Sequence, residues 1–72
     1  MMEVLVFSTS VKSLEEVKSL APKINSLVGK GCWNFALDDR DNILRIISSQ
    51  VKPEIAIRLL EKNGFECREL MD

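Results

Sequence analysis

The segment 33-WNFALDDRDNILRII-47 decides the fold, because in it two alternating apolar stretches flank a short acidic turn. Alternation of apolar and polar residues is typical of a half-buried strand, and an Asp-rich connection between two such stretches favours a tight turn. The segment therefore predicts a β-hairpin with strands within 33–39 and 43–47. Its inward-facing residues would be Trp33, Phe35, Leu37, Leu44 and Ile46.

A helix is predicted on the N-terminal side of the hairpin. Ser13 and Glu16 have the Ser-x-x-Glu spacing of a capping box, and apolar residues follow at three- and four-residue steps. Pro22 lies inside this pattern, and because it lacks a backbone donor and crowds the preceding turn, we expect a kink or a break there. Gly29 and Gly31 would end the helix. The apolar stripe comprises Leu14, Val17, Leu20, Ala21, Ile24, Leu27 and Val28.

A second helix is predicted after the hairpin. Two further strands are predicted, one before the first helix and one after the second. Pro53 suits the first turn of a helix, and the pair Asn63-Gly64 would end it. Residues 4–7 are all apolar, which is typical of a central strand covered on both faces. Residues 65–70 form the last predicted strand. The apolar face of the second helix comprises Ile55, Ala56, Leu59 and Leu60.

The order strand, helix, strand, strand, helix, strand indicates an α+β protein, folded as a single domain over residues 1–72. The simplest compact arrangement is the ferredoxin-like βαββαβ two-layer sandwich, whose antiparallel sheet has the order 4-1-3-2 and carries both helices on one face. Right-handed crossovers select this arrangement. Leu5, Phe7 and Phe65 join the hairpin residues and the two helix stripes in the predicted core.

The charge and hydropathy of the sequence argue against nucleic-acid binding, a membrane span and a signal peptide. The chain has 10 basic and 11 acidic residues, interspersed, and without a basic patch the electrostatic basis for nucleic-acid binding is missing. No apolar run approaches the ~20 residues that span a bilayer, and the N-terminal run is too short for a signal peptide. We therefore expect a cytoplasmic protein that binds neither nucleic acid nor a membrane.

The side-chain inventory argues against catalysis. The sequence contains no histidine and no tyrosine, so the usual general base near neutral pH and the commonest metal ligand are missing. A chain of 72 residues also has a small core, without room for a large pocket. We therefore expect no enzymatic activity, no catalytic residue and no cofactor.

The two cysteines and the three aspartates of the hairpin turn are interpreted as structural features, rather than as a disulfide and a calcium site. Cys32 and Cys67 fall on opposite edge strands, about 14 Å apart across three strand spacings, which is too far for a disulfide. Alternation places Cys32 on the open face, where an intermolecular role is a hypothesis, and Cys67 toward the helices. Asp38, Asp39 and Asp41 lack the glycine and the distal glutamate of a calcium loop, so we expect a solvated hairpin turn.

Three segments resemble the heavy-metal-associated domain family, which includes copper chaperones and the N-terminal domains of metal-pumping ATPases. The segment 33-WNFALD-38 resembles the family's second strand, and 64-GF-65 resembles the Gly-aromatic pair before its last strand. The segment 8-STSVKS-13 falls where the family has M-T-C-x-x-C, with Thr9 at the threonine position. The resemblance covers residues 3–70 and implies the fold predicted above.

The same resemblance implies that thiolate metal binding has been lost. Ser10 and Ser13 stand where both metal-binding cysteines belong, and Lys12 places a positive charge between them. A serine hydroxyl stays protonated at neutral pH and is a poor ligand for Cu(I) or Zn(II). We therefore expect no metal at this degenerate loop, with Ser13 capping the helix and Ser10 stabilising the turn. A vestigial or hard-cation site is the alternative.

The sheet face opposite the helices carries the leading functional hypothesis. Half-exposed aliphatic side chains there would form a patch on the order of a few hundred Å², near the upper range for a monomer. We therefore expect a non-enzymatic interaction module that forms a homodimer or binds a protein partner. The alternatives are a metal-binding or metal-transport domain with a non-standard site, and a small-molecule-sensing regulatory domain. The candidate interface comprises Val4, Val6, Ile43, Arg45 and Ile47, with Glu66 and Arg68 on the same face.

Overall fold

A computed structural model describes residues 3–38 and 40–70 of the chain. It contains four strands and two helices in the order that the sequence predicts. Strands β2 and β4 are shorter than predicted, because residues 37–38 belong to the turn of the hairpin and residues 65–66 precede the last strand. The elements are β1 Glu3–Thr9, α1 Leu14–Val28, β2 Trp33–Ala36, β3 Ile43–Ser48, α2 Pro53–Lys62 and β4 Cys67–Glu69.

The strands form one antiparallel sheet of order β2-β3-β1-β4. This is the predicted order 4-1-3-2, named from the other edge, so the predicted topology of the sheet is confirmed. Strands β1 and β3 lie in the centre and pair from Glu3–Ser48 to Ser8–Ile43. The described elements are compatible with a two-layer sandwich.

The core lies between the helices and one face of the sheet. Phe7 and Leu44, on the two central strands, are fully buried in one cluster with residues of both helices. Val11, in the connection between β1 and α1, is also fully buried, which the sequence analysis missed. The cluster comprises Leu5, Phe7, Val11, Leu20, Ile24, Leu44, Ile46, Ala56, Leu60 and Cys67. The predicted core residues Trp33, Phe35, Leu37 and Phe65 pack against it, partly buried.

Trp33 anchors the edge strand β2 to the helix layer. Its indole Nε1 donates to Asn25 Oδ1 at 2.7 Å, and its ring meets Phe35 edge to face, with centroids 5.9 Å apart. Both interactions use the side of the sheet that faces α1. Trp33 therefore has the role of a core anchor that its register predicts.

Helix α1 corrects two expectations. It runs without interruption from Leu14 to Val28 through Pro22, so of the predicted kink or break, the break is wrong. Leu20 and Ile24 are buried on either side of the proline, and their packing holds the helix together although one backbone donor is missing. Leu14 is mostly exposed, so the buried stripe begins later than predicted. On α2, Ile55 is likewise largely exposed.

Candidate functional site

The strand register defines the open sheet face, which is the face opposite the helices. Residues of β1 and β3 that alternate with the core residues pair directly across it, with Val4 opposite Ile47 and Val6 opposite Arg45. Neither helix packs on this side, since the buried residues of both join the cluster on the other face. The structure therefore brings four of the five predicted interface residues together at the centre of this face.

Three aliphatic side chains on the open sheet face are exposed to solvent. Val4 is 60% exposed, Ile47 is 45% exposed and Leu70 is 40% exposed. The Leu70 N–H donates to the Val6 carbonyl at 2.8 Å, which places Leu70 beside Val6. Sequence reasoning missed Leu70, although the alternation that places Arg68 on this face also places Leu70 there. The exposed patch is therefore contiguous across β3, β1 and the end of β4.

Ile43 corrects the predicted interface, because it is only 5% exposed. Alternation places it on the open sheet face, and it is not a member of the core cluster. It lies where the hairpin turn meets the end of β1, and there Ser8 Oγ donates to the Asp41 carbonyl at 3.3 Å. Ile43 is therefore excluded from the exposed patch.

Two arginines share the open sheet face with the aliphatic patch. Arg45 occupies the middle of β3, between Asn34 on β2 and Val6 on β1, and it is exposed. Arg68 on β4 pairs with Ser8 and is also exposed. The nearest carboxylate on this side along β4 belongs to Glu66, which precedes the strand. The face thus combines aliphatic surface with fixed positive charge.

The loop at residues 8–13 uses both of its candidate serines in structural hydrogen bonds. Glu66 N–H donates to Ser10 Oγ at 2.8 Å, and Ser10 N–H donates to the Glu66 carbonyl at 3.1 Å. Glu16 N–H donates to Ser13 Oγ at 3.2 Å, and the Glu16 carboxylate accepts from the Ser13 N–H at 3.1 Å. The predicted capping box is therefore present. The Lys12 N–H also donates to the Glu16 carboxylate.

The acidic hairpin turn and the serine loop lie at the same end of the sheet. Thr9 N–H donates to the Asp41 carbonyl at 3.1 Å, and Thr9 Oγ1 donates to the Asn42 carbonyl at 2.7 Å. Even so, within 3–38 and 40–70 no three carboxylates or thiols converge as a metal site would require. Asp39, the remaining residue of the calcium hypothesis, lies outside the described residues.

The two cysteines are separate thiols on opposite edges of the sheet. Cys67 begins β4 and is buried among the core residues, whereas Cys32 is half-buried beside β2. Burial, with a smaller effect of the Glu61 carboxylate, raises the pKa of Cys67 to about 12. This thiol is therefore protonated and unreactive at neutral pH. The Ile47 N–H donates to the Cys32 carbonyl at 2.8 Å, so Cys32 continues β2 beside Ile47.

Comparison of the chain with protein-family models, with curated proteins and with solved structures gave no match. Neither described helix is long and apolar enough to cross a bilayer. The function is therefore inferred from the described surface itself, and first of all from the open sheet face.

Proposed function

We propose that this chain is a small non-enzymatic interaction module, which uses the open sheet face to bind a protein partner. The contact surface of that partner would be apolar and would carry carboxylates. The observation that supports the proposal is the contiguous exposure of Val4, Ile47 and Leu70 on a face that no described helix covers. Aliphatic side chains exposed together in this way are typical of a protein contact surface.

The proposal also concerns the scaffold that carries the open sheet face. The element order and the strand order support a ferredoxin-like sandwich similar to that of heavy-metal-associated domains. The hydrogen bonds of Ser10 and Ser13 support a loop that stabilises the fold where the family would hold a metal. We infer that this module retains a metallochaperone-like scaffold and has lost thiolate metal binding.

The aliphatic patch is too small to form a whole protein interface. A stable protein interface buries about 800 Å² on each partner, and the aliphatic patch supplies on the order of a few hundred Å². The patch would therefore form the centre of an interface, where desolvation contributes most of the affinity. Asn34 and Arg68 would belong to its polar surround, whereas Arg45 lies within the patch, opposite Val6.

The charge of the face favours a different protein over a second copy of this chain. Arg45 lies in the middle of the face, so a two-fold axis near the centre would bring two Arg45 guanidinium groups together. Like charges in such a contact cost free energy, whereas carboxylates on a partner would form paired hydrogen bonds with each arginine. The partner is accordingly expected to be acidic at the contact.

The proposal is tested by photocrosslinking in the cells that naturally produce the protein. A benzoylphenylalanine replaces Asn34, which is exposed on the open sheet face and leaves the aliphatic patch intact. The matched control carries the same group at Leu14, which is mostly exposed on α1. We expect a discrete protein adduct from position 34 that is missing from position 14.

The identity of the crosslinked protein decides between a separate partner, a homodimer and no binding at the open sheet face. Adducts of the same proteins from both positions, or none from position 34, would refute the open sheet face as a binding surface. An adduct of the chain with itself would replace the acidic partner by a homodimer. The mass of the adduct and the crosslinked peptide identify which of these holds.

A further inference from the structure

The two helices form a second surface, on the other layer of the molecule from the open sheet face. A groove of about 310 Å³ lies between them and opens to solvent. We call this surface the helix groove. It is lined by Lys23, Leu27, Ile55, Arg58, Leu59 and Lys62.

The helix periodicity explains how the groove arises. Ile55, Leu59 and Lys62 follow one another at four- and three-residue steps and so share one side of α2. This side is adjacent to the stripe of Ala56 and Leu60, which is buried in the core. Ile55 remains largely exposed and Leu59 half-buried. The groove therefore has an apolar floor that the fold does not need to cover.

The rim of the helix groove is cationic. Lys23, Arg58 and Lys62 line it, and none of its described lining residues carries a carboxylate. Lys23 Nζ donates to Asn63 Oδ1, which ties α1 to the end of α2. Arg58 and Lys62 form no ion pair with any residue in the described ranges. Three cations therefore surround an apolar floor in a chain whose net charge is −1.

We propose that the helix groove binds an amphipathic helix of a partner protein, with apolar anchors on one side and carboxylates flanking them. A helix laid into a groove uses anchors at three- and four-residue steps, which matches the spacing of Ile55 and Leu59. A small molecule would need a site that encloses about 70–90% of its surface, and this groove is open. The cationic rim selects acidic over basic helices.

The test is an NMR titration of the full ¹⁵N-labelled chain with a synthetic peptide probe. The peptide is an amphipathic helix of roughly 20 residues, because isolated helices shorter than about 12–15 residues are marginal in water. It has leucines at three- and four-residue steps and glutamates beside them. A second peptide has lysine in place of every glutamate. We expect the acidic peptide to shift the amide signals of Leu27, Ile55 and Leu59, and the basic peptide to shift none of them.

A charge-matched pair of variants makes the test specific. Arg58→Gln with Lys62→Gln should weaken binding of the acidic peptide about tenfold, because two ion pairs are lost. Lys18→Gln with Lys30→Gln removes the same charge outside the groove, at two exposed positions, and should leave the affinity unchanged. The affinity should also fall as salt is added.

Several results would overturn the proposal. These are shifts confined to the open sheet face, equal binding of both peptides, and equal losses in the two variant pairs. Shifts at the groove with vesicles of phosphatidylcholine and phosphatidylglycerol, but not with the acidic peptide, would assign the surface to a membrane instead. The titration reports on amides throughout the chain, so shifts at the helix groove are distinguished from shifts at the open sheet face and the two proposals can fail independently.

Discussion

On strand β1, Leu5 and Phe7 are buried, whereas Val4, next to Leu5, is mostly exposed. The three side chains have similar chemistry, and they differ only in which face of the sheet they occupy. The helices cover one face and bury its residues, and the other face leaves Val4 and Ile47 exposed to water. The comparison shows that the helix-covered face suffices for a continuous core, so the apolar residues of the open sheet face call for a different explanation.

The largest effect is expected on the helix-covered face. Phe7→Ala should lower the free energy of unfolding by about 3–5 kcal/mol, because a fully buried ring is lost and a cavity remains. Val4→Ala on the same strand should cost about 1 kcal/mol or less. Urea denaturation of both variants measures the contrast. Phe7→Leu, with a smaller loss in the same direction, serves if Phe7→Ala does not fold. Equal losses for Phe7→Ala and Val4→Ala would remove the distinction between the two faces.

Ile43 sharpens the comparison, since it lies on the open sheet face and is nevertheless buried. Ile43→Ala should cost about 2–3 kcal/mol, within the range for buried aliphatic residues. Ile47→Ala, on the same strand and the same face, should cost about 1 kcal/mol or less. Equal losses in urea denaturation would mean that Ile43 is no better buried than Ile47, and would return Ile43 to the exposed patch.

The contrast between Ile43 and Ile47 shows where sequence reasoning succeeds and where it fails. Alternation predicts the face of each residue, because the side-chain period of a strand is two and is a local property. It does not predict burial, which depends on neighbours distant in sequence, such as Ser8, which pairs with Ile43. The capping box at Ser13 was predicted because both of its partners lie within four residues.

The strand order was also predictable, because right-handed crossovers leave few arrangements for this order of elements. Three other features of the structure were not predicted. Pro22 is tolerated because tertiary packing of Leu20 and Ile24 outweighs its local effect. Leu70 enters the exposed patch because the β1–β4 ladder continues past Glu69. The helix groove arises from the way in which two helices meet, which neither helix encodes alone.

A smaller effect is expected from the buried thiol of Cys67 on the helix-covered face. Its contribution to the free energy of unfolding should depend on pH. The pKa of Cys67 is raised from 9.0 to about 12, so the folded state keeps a proton that the unfolded state releases. The stabilising effect of the buried thiol is therefore fully present below pH 9 and declines as the pH rises toward 12. The expected slope approaches about 1.4 kcal/mol per pH unit above pH 9.

This slope is measured in a Cys32→Ala background, so that one thiol remains, in the presence of a phosphine reductant. The free energy of unfolding is compared with and without Cys67→Ala at several pH values between 7 and 10.5 by urea denaturation. The advantage of the Cys67 protein should shrink as the pH rises above 9. A constant difference would show that the folded protein does not protect this thiol from ionisation.

The most direct measurement of the central claim uses the partner that the photocrosslink identifies, purified and titrated by calorimetry. Val4→Thr with Ile47→Thr keeps β-branched side chains that favour strands, and so removes apolar surface with little effect on folding. Leu14→Thr is the matched control on α1. We predict that the double variant weakens binding at least about tenfold, while its unfolding midpoint and the affinity of the Leu14→Thr protein stay unchanged. Equal affinities of the wild-type protein and the Val4→Thr, Ile47→Thr protein would contradict the claim that the open sheet face is the binding surface.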